Sequence, residues 1–335
     1  MRVSILINPK AGSSNQGQVE AIVREALFRC DLHFATPKTL EELDLFLAHE
    51  MLNKTNALII CGGDGTINVT FQTMIRIHER LGFDMPPVTL VRSGTANDLA
   101  ERMGISTKIH QAVRNILEGT TKNIDVIEVT GDGKKSYMLT NGGLGLPAMT
   151  AEMSNDFRSY LQKRSDCPKA TLAFKFLAKQ SYSMVKKMGP QIYSMMALEA
   201  IRTWDPTDWK LEVNIPNKAN FETTAPIILV NNQPNVASTF TPAPFTSNTD
   251  GTMNLLISES SSQAEHVRTA LNIRRGTAAR LPYSKSYELK EFSLKTKNTK
   301  RTLTFFGDGE VLHKGVSELT VKCLHRFLPI VVAAK

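Results

Sequence analysis

The sequence predicts an α/β fold in two parts. An N-terminal doubly wound parallel sheet is expected over residues 1–125 and a mostly antiparallel, β-rich second domain over residues 126–325. Residues 326–335 form a C-terminal segment that could return to the first domain. Three observations lead to this division. The first 125 residues switch repeatedly between a strand-like and a helix-like apolar period, the pattern of a parallel sheet with helices on both faces. After Asp125 short apolar runs alternate with turns and few helices intervene, as in antiparallel sheets. A chain of 335 residues is long enough for two ordinary domains.

The elements follow in order. Residues 3–7 are a strand entering a turn at Asn8-Pro9, and 16–30 read as a helix. Residues 32–35 are a short strand, and 40–52 a helix with leucines at 40, 43, 47 and 52. Residues 57–61 are a strand, 67–80 a helix and 88–91 a strand, with helical stretches at 98–103 and 109–118. Residues 124–146 read as two strands around the turn Gly131-Asp132-Gly133, and 170–203 as helical. Strands then occur at 211–215, 227–230, 253–257, 287–294, 302–306 and 319–324, with another helix within 259–279. Residues 231–250, rich in Asn, Pro, Ser and Thr, read as a long loop, and loops of that length are often functional.

Three loops fall at the ends of parallel strands, where ligands of such sheets bind. Asn8-Pro9-Lys10-Ala11-Gly12 follows the first strand. Its glycine spacing to Gly17 resembles a Walker A loop, but Gln18-Val19 replaces the Lys-Ser/Thr pair. Gly62-Gly63-Asp64-Gly65-Thr66 ends the third strand. Consecutive glycines let the backbone approach an anion closely, and N–H groups at a following helix start can bind phosphate oxygens. Asp64 can hold a cation or order water around one. Ser93-Gly94-Thr95-Ala96-Asn97-Asp98 ends the fourth strand, where Asn97 or Asp98 could equally serve as a helix cap. Gly307-Asp308-Gly309-Glu310 reads as a hairpin turn or as a carboxylate presented to a substrate hydroxyl. Thr249-Asp250-Gly251-Thr252 has the same two readings.

Composition narrows the classes. Cys30, Cys61, Cys167 and Cys323 are scattered, with no CxxC and no zinc spacing, so reduced thiols are expected. The seven histidines form no HExxH. No apolar run approaches membrane-spanning length, and the start is too quickly polar for a signal peptide. A soluble, cytoplasmic protein able to touch a membrane surface is therefore expected. The net charge is +8: residues 1–125 carry −1 and residues 126–335 carry +9. That imbalance favours an anionic partner for the second part, or a solvated basic face. No nucleic-acid-binding motif accompanies it. Residues 169–188 hold five lysines and no acid. They would suit a helix lying on an anionic bilayer or one packing its apolar stripe on its own domain.

Taken together, Asn8-Pro9-x-x-Gly12, Gly62–Thr66, Gly94-Thr95-x-Asn97-Asp98, Ile124-Asp125, Asp250-Gly251 and Asp308-Gly309-Glu310 occur in one order over nearly the whole chain. In this the chain resembles the diacylglycerol kinase catalytic-domain family, which includes soluble bacterial lipid kinases and the sphingosine and ceramide kinases. The resemblance implies a nucleotide-binding α/β domain, a β-sandwich-like second domain and an active site between them. It also implies ATP, Mg²⁺ and phosphorylation of a lipid hydroxyl, such as that of diacylglycerol, at a membrane surface. Asn8, Pro9, Lys10, Ala11, Gly12, Thr36, Gly62, Gly63, Asp64, Gly65, Thr66, Gly94, Thr95 and Asn97 would line the nucleotide. Asp64, Asp98 and Asp125 would order water and Mg²⁺, and Asp250, with Ser247 and Thr252, would hold a structural metal. Asp308 and Glu310 fall at the catalytic carboxylates, with Asp64 the other candidate base.

The chain departs from the family pattern at three places. Arg92 stands where many members have Pro, and Glu101 stands where a basic residue is common, with Arg102 next to it. Gln233-Pro234-Asn235-Val236 replaces a glycine-rich stretch. A soluble small-molecule kinase of the NAD kinase type and a non-catalytic nucleotide- or lipid-binding relative are the alternatives. Peripheral contact with an anionic membrane is expected, nucleic acid is not, and a homodimer is left open.

Overall fold

The computed structural model describes residues 1–8, 16–93, 97–165, 189–236 and 240–334. It divides into two compact units. Unit 1 comprises Met1–Val126, Asn248–Gly251 and Leu324–Lys335, and unit 2 comprises Ile127–Ser247 and Thr252–Cys323. The range 126–325 expected for the second domain is therefore interrupted, because residues 248–251 are hydrogen-bonded into unit 1 through Asp125.

Unit 1 begins with β1 (Arg2–Ile7), α1 (Gln16–Ala26), β2 (Asp31–Ala35) and α2 (Leu40–Leu52). β3 (Ala57–Gly62), α3 (Asp64–Leu81), β4 (Val88–Arg92), α4 (Asp98–Arg102) and α5 (Ile109–Glu118) follow. The strands are parallel in the order β2-β1-β3-β4. β1 and β3 are buried along almost their whole length, as central strands covered on both faces should be. Val19, Val23 and Leu27, from α1 and the turn after it, pack on Val3, Ile5, Ile7, Ala57, Ile59 and Cys61. α2 starts where Thr39 accepts from the Glu42 N–H and Glu42 accepts from the Lys38 N–H, a variant of the capping box. α3 starts at Asp64, three residues earlier than its apolar period suggests, because Gly63 supplies the N-cap.

β5 (Thr120–Gly131) and β16 (Glu318–Val332) run from one unit into the other. Near its end β16 pairs in parallel with β4, Ile330 opposite Val88.

Unit 2 holds β6 (Lys134–Met138), β7 (Asn141–Gly145), α6 (Leu146–Ser165), α7 (Gly189–Thr203) and β8 (Leu211–Ile215). It continues with β9 (Ala219–Thr223), β10 (Ile227–Asn231), β11 (Met253–Ser258) and α8 (Gln263–Arg275), then a 3₁₀ turn (Ala278–Arg280). β12 (Ser284–Leu289), β13 (Glu291–Thr296), β14 (Leu303–Gly307) and β15 (Glu310–Val316) complete it. One antiparallel sheet has the order β12-β11-β10-β7-β14-β15. A second set runs β16-β13-β8-β9, with the β5–β6 hairpin. Ile127, Val129, Val213, Phe292, Leu294 and Leu319 of the second set meet Ile228, Val230, Leu255 and Phe305 of the first in one core, which makes a β-sandwich. Successive strand residues face opposite ways, so Ile227, Leu229, Leu256 and Phe306 point outward, where α6 and α7 cover them. That is why β10 and β11 read as unbroken apolar runs.

α6, β9 and β15 are additions to the elements expected from sequence, and residues 124–146 hold three strands where two were expected. The expected strand at 287–294 is two strands that break at Lys290. Much of the expected helix over 170–203, including the lysine-rich stretch, lies outside the described residues, as does Cys167. Cys30, Cys61 and Cys323 are free thiols. Among the described residues no helix is long and apolar enough to cross a membrane.

Glu50 on α2 is buried under the sheet edge. Burial alone would push its carboxyl up, but hydrogen bonds from Arg2, Ser4 and His49 prevail and hold it down at about 2. A carboxyl depressed in the folded chain stabilises it above the ordinary value of 4.5, and that contribution is lost as pH falls toward about 2. Glu50→Gln should therefore cost about 3 kcal/mol at neutral pH. In urea unfolding it should also flatten the loss of stability between those two pH values. An unchanged acid limb would remove Glu50 from the account.

Candidate functional site

The strand order of unit 1 reverses direction between β1 and β3, the place where open parallel sheets bind ligands beyond their strand ends. Asn8 leaves β1 at this point. Its N–H donates to the Cys61 carbonyl at 3.0 Å and its Nδ2 to Thr66 Oγ1 at 2.8 Å. The second bond ties the loop after β1 to the first turn of α3. Thr36, half-buried, follows β2 one residue beyond the Leu6–Ala35 pair. Pro9, Lys10, Ala11, Gly12, Gly94 and Thr95 lie outside the described residues.

The two glycines around Asp64 have different reasons. A Cβ at Gly62 would lie 2.4 Å from the Thr66 Cβ, so close packing of strand on helix requires glycine there. A Cβ at Gly65 would meet nothing within 4 Å among the described residues, so their packing does not ask for glycine. Gly63 caps α3 with extended backbone and no side-chain cap bond, which leaves first-turn N–H groups without that partner.

Asp64 is half-buried and turned toward the next loop. Its oxygens accept from the Asn97 N–H at 2.9 Å and the Asp98 N–H at 3.1 Å. Asn97 is buried in the left-handed conformation at φ +56°, which asparagine tolerates. The structure thus brings Asp64, Asn97 and Asp98 together. Arg92 and Glu101, two of the departures from the family pattern, face each other at 3.5 Å.

Asp125 has different partners. It is fully buried and accepts from Gly251 N at 2.7 Å, Arg326 N at 2.7 Å and His325 Nδ1 at 3.0 Å. Gly251, at φ +79°, must be glycine, since a Cβ would lie 2.8 Å from the His325 ring. Asp250 beside it is exposed, and Ser247 and Thr252 are half-buried. Among the described residues no three His, Cys, Asp or Glu side chains converge as a metal group.

In unit 2, Asp308-Gly309 forms the two-residue loop between β14 and β15, with φ +53° and +83°, the backbone of a type I′ turn. The Asp308 carboxylate accepts from Leu139 N at 2.9 Å, Thr140 N at 2.8 Å and Thr140 Oγ1 at 2.6 Å. Its own N–H donates to the Asn141 carbonyl. Asn141 begins a side-chain ladder that crosses the sheet through Asn231 and Asn254 to Glu288. Glu310 is exposed, and Asn155 on α6 donates to it at 3.3 Å and to the Gly309 carbonyl at 3.2 Å. Thr140, Asn155 and His325 escaped sequence reading. His325 is 200 positions from Asp125 and carries no local motif.

The model of the "Diacylglycerol kinase catalytic domain" matches residues 2–129, and that of the "YegS C-terminal NAD kinase beta sandwich-like domain" matches residues 177–332. Residues 2–129 belong to the diacylglycerol kinase catalytic-domain family. A protein of Stenotrophomonas maltophilia named "Probable lipid kinase YegS-like" is 30% identical over 31% of this chain and 34% of its own length. The "Diacylglycerol kinase" of Bacillus subtilis is 24% identical over 73% of this chain and 64% of its own length. The matches therefore span about a third to under two thirds of those relatives. A crystal structure of a diacylglycerol kinase from Bacillus anthracis superposes with a TM-score of 0.66 at 15% identity, covering 99% of this chain and 96% of that one. That likeness speaks for the fold, here a parallel α/β unit and a β-sandwich.

The two glycines should separate in unfolding experiments. Gly62→Ala should lower stability by about 1–3 kcal/mol through overpacking against Thr66. Gly65→Ala should leave stability unchanged or raise it by about 0.5 kcal/mol. Equal effects would show that the space around Gly65 is filled.

Proposed function

We propose that this protein is an ATP-dependent kinase that transfers the γ-phosphate to the hydroxyl of a membrane lipid of the diacylglycerol class. The observation that carries the reading is the space the described residues leave at Gly65, beside a helix start without a side-chain cap, at the sheet's reversal point. A helix N-terminus with an open glycine suits phosphate. Arg92 Nε, at the end of β4, is buried with no acceptor among the described residues, a further donor at the same edge.

The nucleotide is assigned to Asn8 and the loop to Gly12, Thr36, Gly62–Thr66, Gly94, Thr95 and Asn97. Mg²⁺ commonly binds through one or two carboxylates with substrate phosphates and water completing the shell. Asp64 and Asp98, adjacent and only partly buried, fit that pattern better than a preformed protein cage. Asp125 is assigned to the surrounding carboxylate network. The structural cation goes to Asp250 in its loop, between Ser247 and Thr252. Bound Mg²⁺ would neutralise phosphate charge, and the chain's own part is positioning and electrostatics.

The proton of the lipid hydroxyl goes to the Asp308–Glu310 turn. Three hydrogen bonds fix the Asp308 carboxylate, and Glu310 beside it is open to solvent. A positioned carboxylate contributes about 100-fold or more as a general base. Asp64, committed to two backbone N–H groups, is the positioning residue of the Asn97–Asp98 loop.

The test is transfer of labelled γ-phosphate from ATP with Mg²⁺ to a lipid panel in mixed micelles, with NAD as the soluble control. A labelled lipid is expected. Asp308→Asn or Glu310→Gln should lower kcat about 100-fold while melting as the parent does. Gly65→Ala should weaken ATP binding without loss of stability. Label on NAD alone, or near-normal rates in both carboxylate variants, would overturn the assignment.

A further inference from the structure

Unit 2 carries an apolar tip that phosphoryl transfer does not use. The Thr246 N–H donates to the Ala243 carbonyl at 3.1 Å, closing a tight turn with Pro244 and Phe245 at its centre. Ala243 and Thr246 are buried, so both ends of the turn are pinned and the tip is held outward. Phe245 is 93% exposed, more than any other large apolar side chain among the described residues. An aromatic ring held this far into water is costly to a chain with no use for it.

The turn lies against the end of α8. The Thr241 N–H donates to the Ile273 carbonyl at 3.0 Å. Gly276, the left-handed cap of α8, lies close enough that a Cβ there would touch Thr241 and Pro244 at 3.5 and 3.6 Å. α8 and the 3₁₀ turn after it carry Arg268, Arg274, Arg275 and Arg280, all exposed. Their one acid, Glu265, is occupied by Ser261 at the other end of the helix. Among the described residues none of the four arginine side chains has a hydrogen bond or ion pair. Some basic side chains elsewhere in the unit are matched, as in Lys135–Glu128, Lys210–Glu222, Arg301–Asp205 and Lys314–Glu152, whereas these four arginines stand together around one apolar tip. Leu271, half-exposed, stands three and four positions from Arg268 and Arg275 on one helix face.

We propose that this surface docks on an anionic lipid bilayer. Phe245 enters the boundary between headgroups and acyl chains while the four arginines meet lipid phosphates. Charge complementarity selects the partner's sign, and a rigid apolar tip among unpaired cations selects a surface with an apolar interior. The surface rests on the lipid-kinase reading only for its purpose, since binding can be measured without transfer.

The experiment is sedimentation with vesicles of phosphatidylcholine alone and of equal parts phosphatidylcholine and phosphatidylserine, at low and high salt. The protein should bind the mixed vesicles, bind the neutral ones poorly, and release with salt. Phe245→Ala should weaken binding about tenfold. Arg274→Gln with Arg275→Gln should weaken it about 25-fold and blunt the salt dependence. Phe245→Trp should show blue-shifted emission on mixed vesicles. Both loss variants should melt as the parent does and transfer phosphate normally to a short-chain acceptor below its micelle concentration. Binding unchanged in both loss variants, or Trp emission unmoved while the protein binds, would overturn the proposal. So would tight binding to DNA through the arginines with none to vesicles. Docking by these residues with no labelled acceptor would remove the kinase reading and leave the surface standing.

Discussion

A carboxylate with no exposure must find donors, and Asp125 finds them in stretches far along the chain. Gly251 N, Arg326 N and the His325 ring all point at it. Leaving such a group unmet costs about 3–5 kcal/mol, so the three segments are bound to one another. The consequences are visible in the backbone. Gly251 takes φ +79° so that the His325 ring can come close, and Arg326 takes φ +49°, an unusual conformation for a side chain of its size. The Asp125 N–H adds a fourth tie, to the Asn248 carbonyl. This is why unit 1 is not a continuous stretch. A loop from the middle of the chain and a strand from its end are recruited by one buried carboxyl group.

The same reasoning separates three Asp-Gly pairs that look alike in sequence. Asp132-Gly133 and Asp308-Gly309 are both two-residue hairpin loops with positive φ at each residue. Asp132 is exposed and makes no side-chain hydrogen bond among the described residues. Asp308 is held by Leu139 and Thr140 from the strand end opposite. Asp250-Gly251 closes no hairpin, and its glycine serves Asp125. Turn chemistry fixes where a carboxylate stands, and the neighbours that reach it decide whether it stays in one orientation. An orientation held from a separate strand is what general-base chemistry needs and what a turn alone does not supply.

Much of the fold was legible because unit 1 is built from local signals. Helices 40–52 and 109–118 match to the residue, and the strands of the parallel sheet differ by one residue at their ends. The glycine loops were legible for the same reason. What was missed has non-local causes. α6 lacks a clean apolar stripe because Leu146, Ala148 and Ala151 meet the sheet while Asn155 reaches the Asp308–Glu310 turn. β9 alternates weakly at a sheet edge, and β15 shows only after the turn at Asp308 is seen as a hairpin. Thr140, Asn155 and His325 are ordinary polar residues until the topology places them against a carboxylate.

The departures at Arg92 and Glu101 meet in the structure. In the family pattern many members have proline at position 92, and a basic residue is common at position 101. Here Arg92 is positive, Glu101 negative and Arg102 positive. Arg92 and Glu101 face each other at 3.5 Å, and a pair this exposed contributes at most about 1 kcal/mol. Its stabilising effect is therefore small, and what the exchange moves is the position of a cation. Arg92 lies opposite Gly62 in the β3–β4 register, one residue before the glycine turn, whereas position 101 lies farther along α4. The Arg92 backbone thus stands at the strand end next to Gly62, while its guanidinium turns to Glu101 on α4. The cation of this strand end is therefore tied to α4, a link that joins β4 to the helix after it.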